Sequence, residues 1–188
     1  MQSGGVLEVE LKFRVPDHAA IRSRLEALGG VFSPVQTQID LYFAHPSRNF
    51  VQTDEAVRIR SVDDDNILTY KGPKLDRTTK TRREIEAPTG PGAKNREQLI
   101  AWLTAVGFTA VREVRKTREP GELTRAGRTV HLALDTVAEL GTFLEVELLV
   151  QPAELDAARS VLHELAAELA LGPPELRGYL DLLMNGPR

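Results

Sequence analysis

The chain contains no cysteine. Disulfides, thiolate metal ligands and cysteinyl nucleophiles are therefore all excluded, and any metal must be held by oxygen or imidazole. Such donors suit hard ions, magnesium or manganese. No apolar run approaches the ~18 residues of a membrane span, and the opening MQSGG lacks the basic-then-apolar pattern of a secretory signal. No membrane partner is expected, and the expected location is cytoplasmic. Neither GxGxxG nor a GxxxxGK followed by Ser or Thr occurs, so any phosphate would be gripped by side chains rather than cradled by backbone amides. Positive charge is not in excess either. A net charge of -3 argues against a protein that coats nucleic acid and confines any basic surface to a patch, such as Lys71 to Arg83.

What is present is a repeated strand pattern. With 41% hydrophobic and 27% charged residues over 188 positions, the composition suits one compact domain with a sizeable core. Its organising stretch is Val6 to Arg14. Read at a period of two, this stretch puts Val6, Glu8, Glu10, Lys12 and Arg14 on one face and Leu7, Val9, Leu11 and Phe13 on the other. Such alternation fits an antiparallel strand with its charged side in water. It also fits a strand enclosed on both faces, whose carboxylates line a cavity and need cations to stay ionised.

The pattern returns along the chain. Ala56 to Val62 sets Arg58 and Arg60 opposite Val57 and Ile59, and Ile67 to Lys71 puts Thr69 with Lys71. Thr81 to Ala87 aligns Arg82, Glu84 and Glu86, and Arg115 to Glu119 aligns Lys116 with Arg118. Arg128 to Thr136 opposes His131, Ala133 and Asp135 to Val130, Leu132 and Leu134. Phe143 to Val150 mirrors the opening strand, with Glu145 and Glu147 against Leu144, Val146 and Leu148. Ile39 to Phe43 is a further strand. Helices are predicted after Pro16-Asp17, over Lys94 to Val106, over Pro152 to Leu171, and from Pro173-Pro174 to Met184. Trp102 is expected in the core and His163 on the surface. Pro73 to Thr81 reads as a mobile edge loop, Pro88 to Ala93 as a connector and Pro120-Gly121 as a turn.

A solvated sheet face would mix signs and include Ser, Thr and Gln, whereas here each sign clusters by strand. Closing such strands into a barrel, with helices over the apolar faces, leaves a highly charged interior. That interior suits a polyanion and divalent metals, because Lys and Arg bind phosphate oxygens while carboxylates hold ions that bridge phosphates.

The ordered series EVELK (Glu8 to Lys12), DLYF (Asp40 to Phe43), VRIR (Val57 to Arg60), TYKGP (Thr69 to Pro73), RREIE (Arg82 to Glu86), RKTR (Arg115 to Arg118), LALD (Leu132 to Asp135), FLEVE (Phe143 to Glu147) and YLDLL (Tyr179 to Leu183) resembles the CYTH superfamily of triphosphate tunnel metalloenzymes. Within it the chain looks closest to the class IV adenylyl cyclases. The resemblance spans nearly the whole chain, so residues 1–188 are read as a single CYTH domain. It implies an α+β fold, a closed eight-stranded antiparallel barrel or tunnel with a charged lumen and helices packed outside.

By the same resemblance, Lys12, Arg58, Arg60, Lys71, Lys116 and Arg118 bind the triphosphate, with Arg82 and Glu84 beside it. Glu8, Glu10, Asp135, Glu145 and Glu147 supply ligands to Mg2+ or Mn2+, and Glu10, Lys12, Asp135 and Glu145 carry catalysis. The implied substrate is ATP, converted to 3',5'-cyclic AMP and pyrophosphate. The alternative is hydrolysis of thiamine triphosphate, inorganic triphosphate or a nucleoside triphosphate. A further alternative is a non-catalytic polyphosphate or nucleotide receptor, using the basic loop Lys74, Arg77, Lys80 and Arg83. The partner is a small-molecule triphosphate rather than nucleic acid, and a homodimer is possible.

Overall fold

The computed structural model describes residues 6–76 and 78–186; Arg77 of the basic loop lies outside them. Leu7–Arg14 forms strand β1, and both of its faces are covered. Val9 and Leu11 are buried on one side, Glu10 and Lys12 on the other. The enclosed reading of the opening stretch therefore holds.

β1 pairs with β9 (Gly141–Val150), β9 with β8 (Arg128–Val137), β8 with β7 (Thr109–Arg125) and β7 with β3 (Gln36–Ala44). The sheet continues through β4 (Ala56–Val62), β5 (Asp65–Lys71) and β6 (Glu84–Pro91), every pair antiparallel. A short β2 (Val31–Phe32) adds to β7 beyond the end of β3.

The closed barrel expected from the sequence is corrected to a curled, open sheet. β1 and β6 lie at the two ends of the strand order and share no ladder among the described residues. β6 carries Pro88 and Pro91, which cannot donate to a further strand and suit an edge. The gap is crossed instead by a strap, residues 79–82. Arg82 and Glu8 exchange backbone hydrogen bonds in both directions, and the Lys80 N–H donates to the Glu10 carbonyl. Thr79, Lys80, Thr81 and Arg82 are all buried, so this end of the supposed mobile loop is part of the wall.

Helix α1 (His18–Ala27) starts where Asp17 accepts hydrogen bonds from the Ala19 and Ala20 amides. With α4 (Leu155–Glu168) it covers the apolar face of β1, β8 and β9, so that Ile21, Leu25, Leu162 and Leu165 pack on Val9, Leu11, Leu132 and Val146. A one-turn helix, α2 (Phe50–Thr53), lies between β3 and β4, and α3 (Ala93–Ala105) covers Val57 and Ile59 with Leu103.

Trp102, expected in the core, is 59% exposed. Its neighbour Leu103 takes the buried position, about 100° further round the helix. The last helix, α5 (Tyr179–Asn185), begins later than Pro173-Pro174 suggested. It packs Tyr179 and Leu182 on Tyr42, Val114 and Phe143. Phe143 shares its strand face with Glu145 and Glu147, so not every helix lies outside; α5 covers one end of the charged face.

Pro120-Gly121 does not turn the chain. β7 runs through it because Pro120 sits where the neighbour changes from β3 to β2, and its missing N–H falls in that gap. A Cβ on Gly121 would lie 2.7 Å from the Phe32 ring, so only glycine lets β2 approach.

Candidate active site

The alternation of each strand turns one row of side chains into a cavity of about 490 Å³. Glu8 and Glu10 come from β1, Arg58 and Arg60 from β4, Lys71 from β5, Glu84 from β6, Lys116 and Arg118 from β7, Glu145 and Glu147 from β9, and Lys80 and Arg82 from the strap.

Opposite charges inside the cavity are matched group by group. Asp40, under the floor of β3, receives Arg60 Nε at 2.7 Å, Arg60 Nη2 at 2.8 Å and Arg58 Nη1 at 3.1 Å. Burial would raise its pKa, but the two guanidinium groups outweigh burial and hold it well below the usual carboxylate range. Arg118 grips Asp135 with Nε at 2.7 Å and Nη2 at 2.6 Å and also pairs with Glu145. Lys116 Nζ and the Tyr179 hydroxyl donate to Asp135 Oδ2 at 3.1 and 2.9 Å. Lys71 pairs with Glu84 and lies 3.8 Å from Glu8, and Lys80 Nζ donates to Glu10 Oε1 at 2.6 Å. These contacts fix the cationic heads; the side chains of Arg60, Lys71 and Arg118 stay partly exposed, while those of Arg58 and Lys116 are buried.

Two carboxylates fare differently. Glu147 is the cross-strand partner of Glu10, and burial followed by the Glu10 charge pushes it up to about 7. Glu8 is raised well above its ordinary value, first by burial and, against the pull of Lys71, by Glu147 and Glu84. Glu145 is held well below, because Arg118 and Lys116 outweigh its burial.

A model of the CYTH domain matches residues 7–179. The chain belongs to the CYTH family. A Methanocaldococcus jannaschii protein named "Putative adenylate cyclase" is 34% identical over 180 residues, covering 94% of this chain and 98% of that one. A solved protein of Pyrococcus horikoshii aligns at a TM-score of 0.83 and 36% identity, over 96% of this chain and 99% of that one. A Hippeastrum protein, described as a "putative adenylyl cyclase" with a dominant triphosphatase activity, shares the fold at a TM-score of 0.68 and 17% identity, over 97% of each chain.

Most of the CYTH residues singled out in the sequence line this cavity, with two set behind its wall. Lys12 is wholly buried. Its Nζ donates to the Arg177 carbonyl and lies 4.1 Å from the Tyr179 ring centroid. Asp135 is also wholly buried, and both of its oxygens are engaged by Lys116, Arg118 and Tyr179. Two further lining residues differ from the sequence reading, which places Lys80 only in the basic loop of the receptor alternative and gives Tyr179 no role. Lys80 sits in an aperiodic polar stretch where nothing signals an inward side chain. Tyr179 reaches the cavity only because α5 packs on the charged face.

CYTH metalloenzymes use divalent ions, so the fit of a cation matters. Among the described residues no three carboxylate or imidazole groups converge as a ready cage; Glu10, Glu84 and Glu145 each lean on a basic side chain. The donor chemistry nevertheless fits a hard ion. Glu8 and Glu147 offer only oxygen, and the burial that opposes their ionisation is what a bound cation would offset.

Proposed function

We propose that this CYTH protein is a metal-dependent enzyme that converts ATP to 3',5'-cyclic AMP and pyrophosphate. The observation that carries the reading is the division of the cavity. Strands β4, β5 and β7 contribute the cations Arg58, Arg60, Lys71, Lys116 and Arg118, with Arg82 from the strap, while the adjacent strands β1 and β9 contribute the carboxylates Glu8, Glu10, Glu145 and Glu147. A triphosphate with an accompanying divalent cation has that same division of charge. The lining also includes the apolar side chains of Phe50, Val51, Ala56, Leu149 and Leu180, which suit an organic group on the triphosphate better than inorganic triphosphate.

In this reading Arg58, Arg60, Lys71, Arg82, Lys116 and Arg118 hold the phosphates, each through charge-assisted hydrogen bonds, and Glu84 orients Lys71. Glu8, Glu10, Glu145 and Glu147 would hold Mg2+ or Mn2+, which when bound supplies Lewis-acid stabilisation of phosphoryl charge and activation of the attacking oxygen. Asp135 acts from behind the wall by fixing Lys116 and Arg118, and Lys12 by supporting Tyr179.

Hydrolysis is the second reading. The same grip serves whether a ribose 3'-hydroxyl is in line with the α-phosphorus or a water is in line with the γ-phosphorus, and the Hippeastrum protein carries triphosphatase activity on this fold. Incubation with ATP, thiamine triphosphate or inorganic triphosphate plus Mg2+ or Mn2+, followed by chromatography, separates the readings. Cyclic AMP and pyrophosphate from ATP are expected. Orthophosphate together with the matching diphosphate, and no cyclic AMP, would assign a triphosphatase, and no product from any of the three would assign a binder.

A further inference from the structure

The strap places one lysine where it does not belong by strand pattern. Lys80 is buried, lines the cavity and sets its Nζ 2.6 Å from Glu10 Oε1. Its backbone is fixed to the same residue, since its N–H donates to the Glu10 carbonyl at 3.0 Å. The strap is pinned at a second point through Asp76, which accepts from the Thr79 amide at 2.7 Å and from Arg159 Nη2 of α4 at 2.7 Å. The Lys80 main chain is therefore held, while four rotatable side-chain bonds leave its ammonium free to choose among oxygens within reach. Among the described residues no other basic side chain lies within 4 Å of the Glu10 carboxylate, and Glu10 stands directly across from Glu147.

We infer that Lys80 is a resident counter-ion for the metal position: it neutralises Glu10 in the free protein, and on substrate binding it leaves Glu10 to a divalent cation and transfers to a phosphate oxygen. The inference rests on the triphosphate reading above. Its physical basis is competition for one carboxylate. An ammonium on Glu10 Oε1 both repels a divalent ion and blocks a lone pair that the ion needs. The same ammonium, once released, lies in a cavity already lined with phosphate-binding groups. Lys80 should thus weaken binding of metal alone while strengthening binding of the polyanion, two effects of opposite sign from one side chain.

The test is calorimetric titration of the full chain with Mn2+ alone, and separately with inorganic tripolyphosphate in EDTA. In Lys80→Met, Mn2+ should bind more tightly than in wild type and tripolyphosphate about tenfold or more weakly, the size expected for one charge-assisted hydrogen bond. Lys80→Arg should stay close to wild type in both titrations. If Lys80→Met binds Mn2+ no more tightly than wild type, the counter-ion role is wrong.

Should that variant fail to fold, Glu10→Gln gives the reciprocal reading. Freed from its partner, Lys80 should tighten metal-free tripolyphosphate binding by more than Glu147→Gln does, measured well above the Glu147 pKa of about 7, where both substitutions remove one negative charge. Equal effects would overturn the inference. Wild-type protein that binds neither ligand would instead overturn the functional reading, and the inference with it.

Discussion

Lys12 is a wholly buried lysine whose partners are a backbone carbonyl and an aromatic face rather than a carboxylate. Burial, then the nearby Lys80 charge, bring it down from 10.5 to about 7. Between pH 7 and pH 10.5 the unfolded chain still holds a proton that the folded chain has released, so stability rises with pH through this window, by at most about 1.4 kcal/mol per pH unit. Below pH 7 both states are protonated and the contribution is flat. Lys116, lowered to about 8 by burial and then Arg118, adds a parallel rise above pH 8. Urea unfolding of metal-free protein should therefore show the stability of wild type relative to Lys12→Met rising between pH 7 and pH 8, a difference in which the opposing contributions of the raised carboxylates Glu8 and Glu147 cancel. An identical slope in the variant would mean that Lys12 stays charged. Strand parity made the inward direction of Lys12 legible in the sequence. That it stops short of the cavity was not legible, because Tyr179 and the Arg177 carbonyl lie some 165 residues away.

Among the elements, β1, β4, β5, β8 and β9 were legible to within two residues, since a buried apolar face imposes a strict period of two, whereas β7 runs well beyond Arg115 to Glu119 and Thr81 to Ala87 divides between the strap and β6. What misled was punctuation. Pro120-Gly121 and Pro88 look like breaks, yet Pro120 falls between two neighbouring strands and Pro88 lies on an edge. The strap misled in the other direction. Polar and aperiodic, it reads as loop, but Asp76 organises it by accepting from the Thr78 and Thr79 amides at 2.8 and 2.7 Å and from Arg159. These contacts resemble a helix cap tied to α4. Asp76→Ala should cost about 1–2 kcal/mol by analogy with a lost cap and should speed hydrogen exchange at the Lys80 and Arg82 amides, which donate to β1. Unchanged exchange at those two amides would show that β1 alone secures the strap.

For the molecule as a whole, the fold encloses charges that are satisfied chiefly by one another. The curled sheet and α5 bury Asp40, Asp135, Arg58 and Lys116 as paired groups, and burial of such pairs contributes little net stability by itself. Glu8 and Glu147, raised by burial, are left to take up protons or accept a cation. A metal with a triphosphate relieves both kinds of frustration at once, so its binding must appear as stability of the whole fold. At about a hundred times its dissociation constant, tripolyphosphate with Mn2+ should stabilise the protein by about 2.7 kcal/mol, or roughly 5–10 °C in Tm for a chain of this size. Each ligand alone should give less. Sodium chloride at matched ionic strength is the control, because screening acts on every charge pair while a site acts only through its own ligands. A Tm rise reproduced by the salt control would assign the effect to screening and remove the cavity as its source.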